Sequence, residues 1–188
     1  MIFTLVFSMI TCIILGMGLP SIPAYIITAT IAAPALSKLG VSEMAAHLFS
    51  FYFAMFANIT PPVALATFAA AGLSSGNAVK TSLQSVKLSI AGFIVPYMFV
   101  FSPQLLLMNT TFFEGIWVTV AACIGVFMIG AAVEGYLFTR INIILRLLLL
   151  TGALLLIDTG LVTDLIGFVI LISVVAFQRF ISLHQAMA

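Results

Sequence analysis

Charged residues are scarce in this 188-residue chain: 6% of its residues are Asp, Glu, Lys or Arg, whereas 64% are hydrophobic. An ordinary soluble domain has about 25% charged residues, so the composition predicts an integral membrane protein. Six basic and five acidic residues leave a net charge of +1. That balance offers no basic surface to a nucleic-acid backbone, and no nucleic-acid partner is expected.

Cysteines and catalytic motifs are also scarce. The two cysteines, Cys12 and Cys123, lie within apolar runs, where a thiol usually behaves as a small hydrophobe, so neither a disulfide nor a metal site is predicted. The zinc-peptidase, serine-nucleophile and phosphate-loop motifs are missing. An enzyme is therefore not expected, and the Asp-Thr-Gly string at 158–160 is interpreted as a turn.

Long apolar segments dominate what is present. Judged against the ~20 residues that cross a ~30 Å hydrocarbon layer, they predict an all-α membrane protein. Two segments, residues 2–36 and 43–73, are interrupted near their middles, and the short arms of the first favour re-entry over crossing. Four simpler transmembrane helices, of ordinary spanning length or slightly short, are predicted at 86–107, 115–137, 141–157 and 163–181.

The two interruptions are rich in residues that break helices. Residues 16–23 read GMGLPSIP and residues 58–62 read NITPP. Proline lacks an N–H donor and glycine costs backbone entropy. Irregular backbone persists at membrane depth only where protein, water or an ion supplies partners. The interruptions are therefore interpreted as a functional site, and helix kinks with a packing role are the alternative.

Half-helices that end or begin at such interruptions supply two kinds of binding group. A half-helix that begins after Pro23 would direct free N–H groups and a positive dipole end at a carboxylate. Half-helices that end at Gly16 and near Ile59 would direct carbonyls at a small cation such as sodium. His47 and Glu134 are interpreted as interfacial or satisfied groups rather than proton carriers.

Charge placement predicts the orientation. One face would carry the loops near 38–43, 109–114 and 158–164, with Lys38, Glu43, Glu114, Asp158 and Asp164. The other face would carry Lys80, Lys87, Arg140, Arg146 and Arg179. Basic residues favour the cytoplasmic side, so a cytoplasmic C terminus is predicted. Residues 74–85 are expected to form a cytoplasmic loop that leads into a short interfacial helix.

Two blocks carry a resemblance to a known family: Gly-x-Gly-Leu-Pro at 16–20 and Asn-Ile-Thr-Pro-Pro-Val-Ala-Leu-Ala at 58–66. Residues 16–72 resemble the second half of the large membrane subunit of tripartite ATP-independent periplasmic (TRAP) transporters. They are most similar to the TAXI branch, in which the small and large membrane subunits are fused. The dicarboxylate branch usually has glycine at the positions of Ala57 and Ala64. The resemblance covers residues 1–108 well and the remaining helices weakly.

This resemblance implies an elevator-type transporter of a bacterial or archaeal inner membrane that imports an organic acid anion with sodium. Residues 1–108 would be the second inverted repeat, with 2–36 as a re-entrant hairpin and 43–73 as a discontinuous helix, and 109–188 would add C-terminal helices. The expected partners are the rest of the permease (the first repeat and the small-subunit region), a soluble extracytoplasmic binding protein and the bilayer. No cofactor besides the coupling ion is expected.

The same resemblance assigns the site to the hairpin tip and the helix break. Residues expected at the substrate are Gly18, Leu19, Pro20, Ser21, Thr60 and Pro61. Residues expected at sodium are Gly16, Gly18, Ala57, Asn58, Thr60 and Pro62. The alternative function is a non-transporting membrane fragment or assembly subunit in which the breaks only kink helices.

Overall fold

A computed structural model describes residues 1–108, 110–157 and 160–187, with no side chain described at 161 or beyond 180. Within these ranges the chain is helical, and its one β feature is an isolated bridge between Tyr136 and Arg140. The predicted all-α membrane class is confirmed.

The chain divides into two compact units, unit 1 (Met1–Leu106) and unit 2 (Leu107–Ala188). The helices of unit 1 are α1 (Ile2–Gly16), α2 (Ser21–Ser37), α3 (Glu43–Phe56), α4 (Leu65–Leu73) and α5 (Ala78–Phe101), followed by a 3-10 turn (Pro103–Leu106). The helices of unit 2 are α6 (Phe112–Glu134), α7 (Ile143–Ile157) and α8 (Leu161–Met187).

Three of the described helices are long and apolar enough to cross a membrane: α5, α6 and the Val162–Phe180 part of α8. The apolar helices α1, α2 and α7 are shorter. With 15 residues, α7 reaches only about 22 Å at 1.5 Å per residue. The segment predicted at 141–157 is thus shorter than an ordinary spanning helix.

Aromatic side chains on α3 form the centre of unit 1. Phe49 and Phe53 are fully buried, and both rings lie edge-on to Tyr97 of α5, with centroids 5.4 and 5.9 Å away. The Tyr97 hydroxyl reaches the sulfur of Met9 on α1 at 3.2 Å. Helix α3 is therefore packed between α1 and α5, and the interruption at its end adjoins a dense core.

Helix α5 differs from its prediction at both ends. The short interfacial helix expected within 74–85 is wrong as a separate element, because α5 runs without a break from Ala78. The side chain of Asn77 accepts a hydrogen bond from the Lys80 N–H at 3.0 Å, and asparagine is a favoured N-cap. The helix predicted over 86–107 ends at Phe101, shortly before Pro103, which cannot continue the helical hydrogen bonds.

Glycines allow the three helices of unit 2 to approach closely. A Cβ atom placed on Gly125 would lie 3.2 Å from the carbonyl oxygen of Ala153 on α7. One placed on Gly152 would lie 2.9 Å from Ile170 on α8. Small residues at helix contacts are typical of membrane bundles, where close van der Waals packing drives association.

The charge pattern predicted that Asp164 lies in a loop, and this is wrong. Asp164 belongs to the first turn of α8, is 4% exposed, and accepts a hydrogen bond from the Trp117 indole N–H at 2.8 Å. Its second carboxylate oxygen, Oδ1, is buried and has no partner among the described residues. A helix N-terminus stabilises a carboxylate, which favours this position. Asp158 lies outside the described residues.

Candidate functional site

The first interruption covers residues 17–20, between α1 and α2. The residue four positions after Gly16 is Pro20, which has no N–H to bond to the Gly16 carbonyl. That carbonyl accepts a longer bond from the Leu19 N–H instead, at 3.3 Å. Gly18 has a φ of +77°, a left-handed conformation that glycine adopts without steric cost. Helix α1 therefore ends at Gly16, as predicted.

Helix α2 begins at Ser21 and not after Pro23, so the predicted start is corrected by three residues. The first-turn N–H groups of a helix have no intrahelical acceptor, and proline is tolerated there for that reason. Ala24 makes the first intrahelical bond, from its N–H to the Pro20 carbonyl at 3.0 Å. No side chain caps this helix, so the N–H groups of Ser21 and Ile22 face out of the helix end.

The second interruption covers residues 57–64, between α3 and α4. Helix α3 ends at Phe56, slightly before the predicted end near Ile59. The carbonyls of Ala57 and Asn58 would require N–H donors at positions 61 and 62, which are both proline. The Asn58 carbonyl accepts a bond from the Ala66 N–H at 3.0 Å instead. The Ala57 carbonyl therefore lacks its helical donor, and Ala57 itself is fully buried in the core of unit 1.

Thr60 donates its hydroxyl hydrogen to the Phe56 carbonyl at 2.7 Å. This bond occupies the hydrogen of the hydroxyl and leaves its oxygen lone pairs as acceptors. The Phe56 carbonyl also accepts a bond from the Ile59 N–H at 3.1 Å. The Thr60 oxygen is therefore held in one orientation beside the end of α3.

Helix α4 begins after Ala64, which has a φ of +42° and a ψ of +49°. This left-handed conformation costs a residue with a Cβ roughly 1–2 kcal/mol. No side chain caps the N-terminus of α4. Both helices that begin at an interruption, α2 and α4, thus start without a side-chain cap.

The two interruptions contact each other. A Cβ atom placed on Gly16 would lie 3.0 Å from both the Ala54 carbonyl oxygen and the Ala57 Cβ, and one placed on Gly18 would lie 3.6 Å from Val63. The end of α1 can approach the end of α3 this closely because residue 16 has no side chain. The sequence prediction did not include Ala54 or Val63. Small residues at 54 and 57 were the available signal that another helix approaches α3 closely at this point.

The other predicted site residues also lie on these two interruptions. Leu19, Pro20 and Ser21 follow Gly18 at the start of α2, and Pro61 and Pro62 follow Thr60. The interruptions contain no charged residue. Among the residues that the structure describes, no group of three His, Cys, Asp or Glu side chains is placed to hold a metal ion. Any ligand here would meet backbone groups and hydroxyls.

His47 has a polar partner, as its interpretation as a satisfied histidine requires. Its Nδ1 lies 3.0 Å from the Tyr25 hydroxyl on α2. The two side chains line an open groove of about 700 Å³ between α2 and α3, together with Thr30, Ser37 and Glu43. Glu134 is exposed at the last residue of α6, and its interfacial position stays a prediction.

Comparison with protein-family models matches residues 1–116 to the family described as "Tripartite ATP-independent periplasmic transporter, DctM component". The matched region includes both interruptions and all of unit 1. No match was found among the curated proteins or the solved structures.

Proposed function

Since the chain belongs to the DctM component family of tripartite ATP-independent periplasmic transporters, we propose that it is the C-terminal part of a sodium-coupled permease that imports an organic acid anion. The family is a class of multi-pass membrane transporters and not an enzyme class. We further propose that the interruptions at 17–20 and 57–64 form its half of the ion and substrate site.

One observation carries this proposal: the two interruptions meet, with Gly18 of the first against Val63 of the second and Gly16, at the end of α1, against Ala57. Unrelated proline kinks would be expected at separate places on a bundle. Two interruptions that contact each other instead bring the backbone groups of four helix ends into one region. Broken helices that meet in this way are the arrangement by which secondary transporters bind ions and substrates.

The sodium part of the proposal rests on neutral oxygens. The Ala57 carbonyl lacks its helical donor because residue 61 is proline, and the Thr60 hydroxyl already donates its hydrogen to Phe56. Carbonyls of unwound backbone are the groups that coordinate sodium in transporters of this architecture. We propose that Ala57 and Thr60 supply ligands, with Gly16, Gly18, Asn58 and Pro62 forming the surrounding backbone.

The anion part of the proposal rests on the helix starts. Helices α3 and α5, which begin outside the interruptions, are capped by the side chains of Ser42 and Asn77. Helices α2 and α4 have no such cap. Uncapped N–H groups and the positive end of the helix dipole favour a carboxylate. We propose that the substrate binds at Gly18–Ser21, with Thr60 and Pro61 opposite.

The remaining parts of the proposal concern partners and location. A soluble extracytoplasmic binding protein would deliver the anion, and the first repeat and small-subunit region of the permease would complete the site. The permease would lie in a bacterial or archaeal inner membrane. Within unit 2, Glu114 and Asp164 lie in the first turns of α6 and α8, whereas Arg140 and Arg146 lie where α6 leads into α7. This separation of charge supports a cytoplasmic C terminus.

Sodium-dependent uptake by the complete permease tests the proposed site. We expect Thr60→Ala to raise the sodium concentration needed for half-maximal uptake at least tenfold, because it removes a ligand, and Thr60→Ser to stay close to the unchanged protein. Thr11→Ala is the matched control. The Thr11 hydroxyl makes the same bond to the carbonyl four residues back, Phe7 at 2.8 Å, but Thr11 lies within α1, six residues before the first interruption.

The backbone contribution is tested by valine at two glycines of similar conformation. Gly18 and Gly40 have φ angles of +77° and +85°, but only Gly18 faces the other interruption, since nothing lies within 4 Å of a Cβ on Gly40. Gly18→Val should abolish uptake and Gly40→Val should reduce it far less. If Thr60→Ala, Pro61→Ala and Gly18→Val all transport normally, the site assignment is wrong and the breaks are only kinks.

A further inference from the structure

We propose that the loop after α6 in unit 2 binds the phosphate headgroup of an anionic phospholipid. We call residues 135–142 the arginine loop, because Arg140 belongs to it, Arg146 of α7 packs against it and Arg179 of α8 lies over it. This proposal does not depend on the site at the interruptions, and it concerns residues outside the matched family region.

The arginine loop has one defined conformation because its neighbours hold it at several points. Its ends meet through a bond from the Ile141 N–H to the Gly135 carbonyl at 2.8 Å. Thr139 donates from its N–H and its hydroxyl to the fully buried Gln178 side chain of α8, at 3.1 and 2.6 Å. The loop is therefore fixed to α8.

Among the residues that the structure describes, the contacts seen for Arg146 and Arg179 are with uncharged groups. Arg146 donates to the Val133 carbonyl at 3.3 Å, and its buried Nε has no acceptor there. The Arg179 guanidinium lies 5.2 Å above the Phe138 ring. Arg140 is exposed. Three guanidinium groups with donors to spare favour an anion with several acceptor oxygens, such as a phosphate.

The position of the arginine loop favours a lipid as the source of that phosphate. The loop directly follows Glu134, the last residue of the membrane-length helix α6, so it lies at headgroup depth. Tyr136 and Phe138 are exposed beside the arginines, as is typical of aromatic side chains at the membrane interface. Exposed apolar side chains continue toward the bilayer on α7 and α8, and these are Ile143, Ile144, Leu147 and Phe177. They provide a surface for acyl chains.

Lipid binding to the purified full chain, measured by native mass spectrometry in a neutral detergent, tests this proposal. Phosphatidylglycerol should bind at least tenfold more tightly than phosphatidylcholine. Arg140→Gln and Arg179→Gln should each weaken phosphatidylglycerol binding about fivefold, which corresponds to about 1 kcal/mol per basic residue at an anionic surface. Binding of phosphatidylcholine should not change. Arg146 is left intact, because its bond to Val133 closes the end of α6.

Lys80→Gln is the matched control, since it removes one exposed positive charge from α5, outside unit 2. It should leave the preference for phosphatidylglycerol unchanged, and circular dichroism should show equal helix content in all variants. The proposal is overturned if both lipids bind equally or if the two arginine variants retain the preference. It is also overturned if an excess of inorganic phosphate displaces the lipid fully, because the site would then select a free phosphate ion.

Discussion

Helix ends at the interruptions of unit 1 differ from helix ends in unit 2 in whether side chains bond to their backbone groups. Where α2 and α4 begin, no side chain bonds to the helix end. In unit 2, Glu114 bonds to the Thr111 N–H at the start of α6, and Arg146 bonds to the Val133 carbonyl at its end. In a membrane such backbone groups need partners. Side chains provide them at both ends of α6, whereas at the interruptions α2 begins without a side-chain partner and the Ala66 N–H of α4 bonds to the backbone carbonyl of Asn58.

The largest effect should come from a side chain that forces the two interruptions apart. Gly16→Val places branched carbons where a Cβ is already 3.0 Å from Ala54 and Ala57. Such overpacking typically costs about 1–3 kcal/mol, and it separates the two backbone segments of the site. We expect a clear fall in the thermal unfolding midpoint of the full chain and no sodium-dependent uptake by the permease.

Gly72→Val is the control for Gly16→Val, because Gly72 is exposed on α4 with nothing within 4 Å of a Cβ. It should alter the unfolding midpoint and the uptake only slightly. Normal uptake by Gly16→Val would show that the contact between the interruptions has no part in transport.

The next effect should come from the polar contact that joins α6 to α8. Trp117→Phe keeps a ring against Phe168, 5.7 Å away by centroid, but removes the N–H that bonds to Asp164. A hydrogen bond contributes about 0.5–1.5 kcal/mol, and a buried acceptor left without a partner costs about 1–3 kcal/mol. The thermal unfolding midpoint of the full chain should fall, while uptake per folded permease stays normal. Asp164→Asn keeps an acceptor oxygen for the indole and should cost less; an unchanged midpoint for Trp117→Phe would contradict the contact.

A smaller effect of opposite sign should follow from Ala64→Gly. Glycine adopts the left-handed conformation of residue 64 without the steric cost that alanine has. Stability should rise by about 0.5–1 kcal/mol in chemical denaturation. Ala66→Gly, two residues later in regular helix, should lower it by about the same amount. Equal losses in both variants would contradict the conformation of Ala64.

The smallest effect concerns the helix caps directly. Ser42→Ala removes the cap of α3, whose Oγ accepts from the Ala45 N–H at a long 3.3 Å, so the loss should be at the lower end for a cap, about 0.5 kcal/mol. Ser21→Ala, at the uncapped start of α2, should leave chemical denaturation unchanged. A loss for Ser21 equal to that for Ser42 would mean that the start of α2 has a side-chain cap after all.

Proline and glycine spacing was sufficient to locate both interruptions, because the missing N–H of a proline acts on a carbonyl four residues earlier in the same segment. The exact start of α2 was missed, since proline is allowed in a first helical turn. The start of α5 was missed because the polarity of residues 74–85 obscured the cap at Asn77. These are local effects: they shift helix boundaries, and at residues 78–85 they join the expected short helix to α5.

Contacts between residues far apart in the chain could not be predicted from the sequence. The burial of Asp164 depends on Trp117, 47 positions earlier, and no spacing rule connects the two. The meeting of Gly16 with Ala54 and Ala57 depends on how α1 packs on α3. Sequence patterns therefore located the parts of the candidate site, whereas the tertiary structure brought those parts into contact.

The shortness of α7 has a consequence for the lipid around the protein. Its 15 residues reach about 22 Å, against a typical hydrocarbon thickness of about 30 Å. The close contacts of Gly125 with Ala153 and of Gly152 with Ile170 hold α7 against α6 and α8. Helix α7 therefore cannot tilt or shift independently of these two helices. We therefore expect the bilayer to thin where it meets α7, at a cost of fractions of a kcal/mol per Å of mismatch. Membranes with short acyl chains should therefore suit this protein better than thick ones.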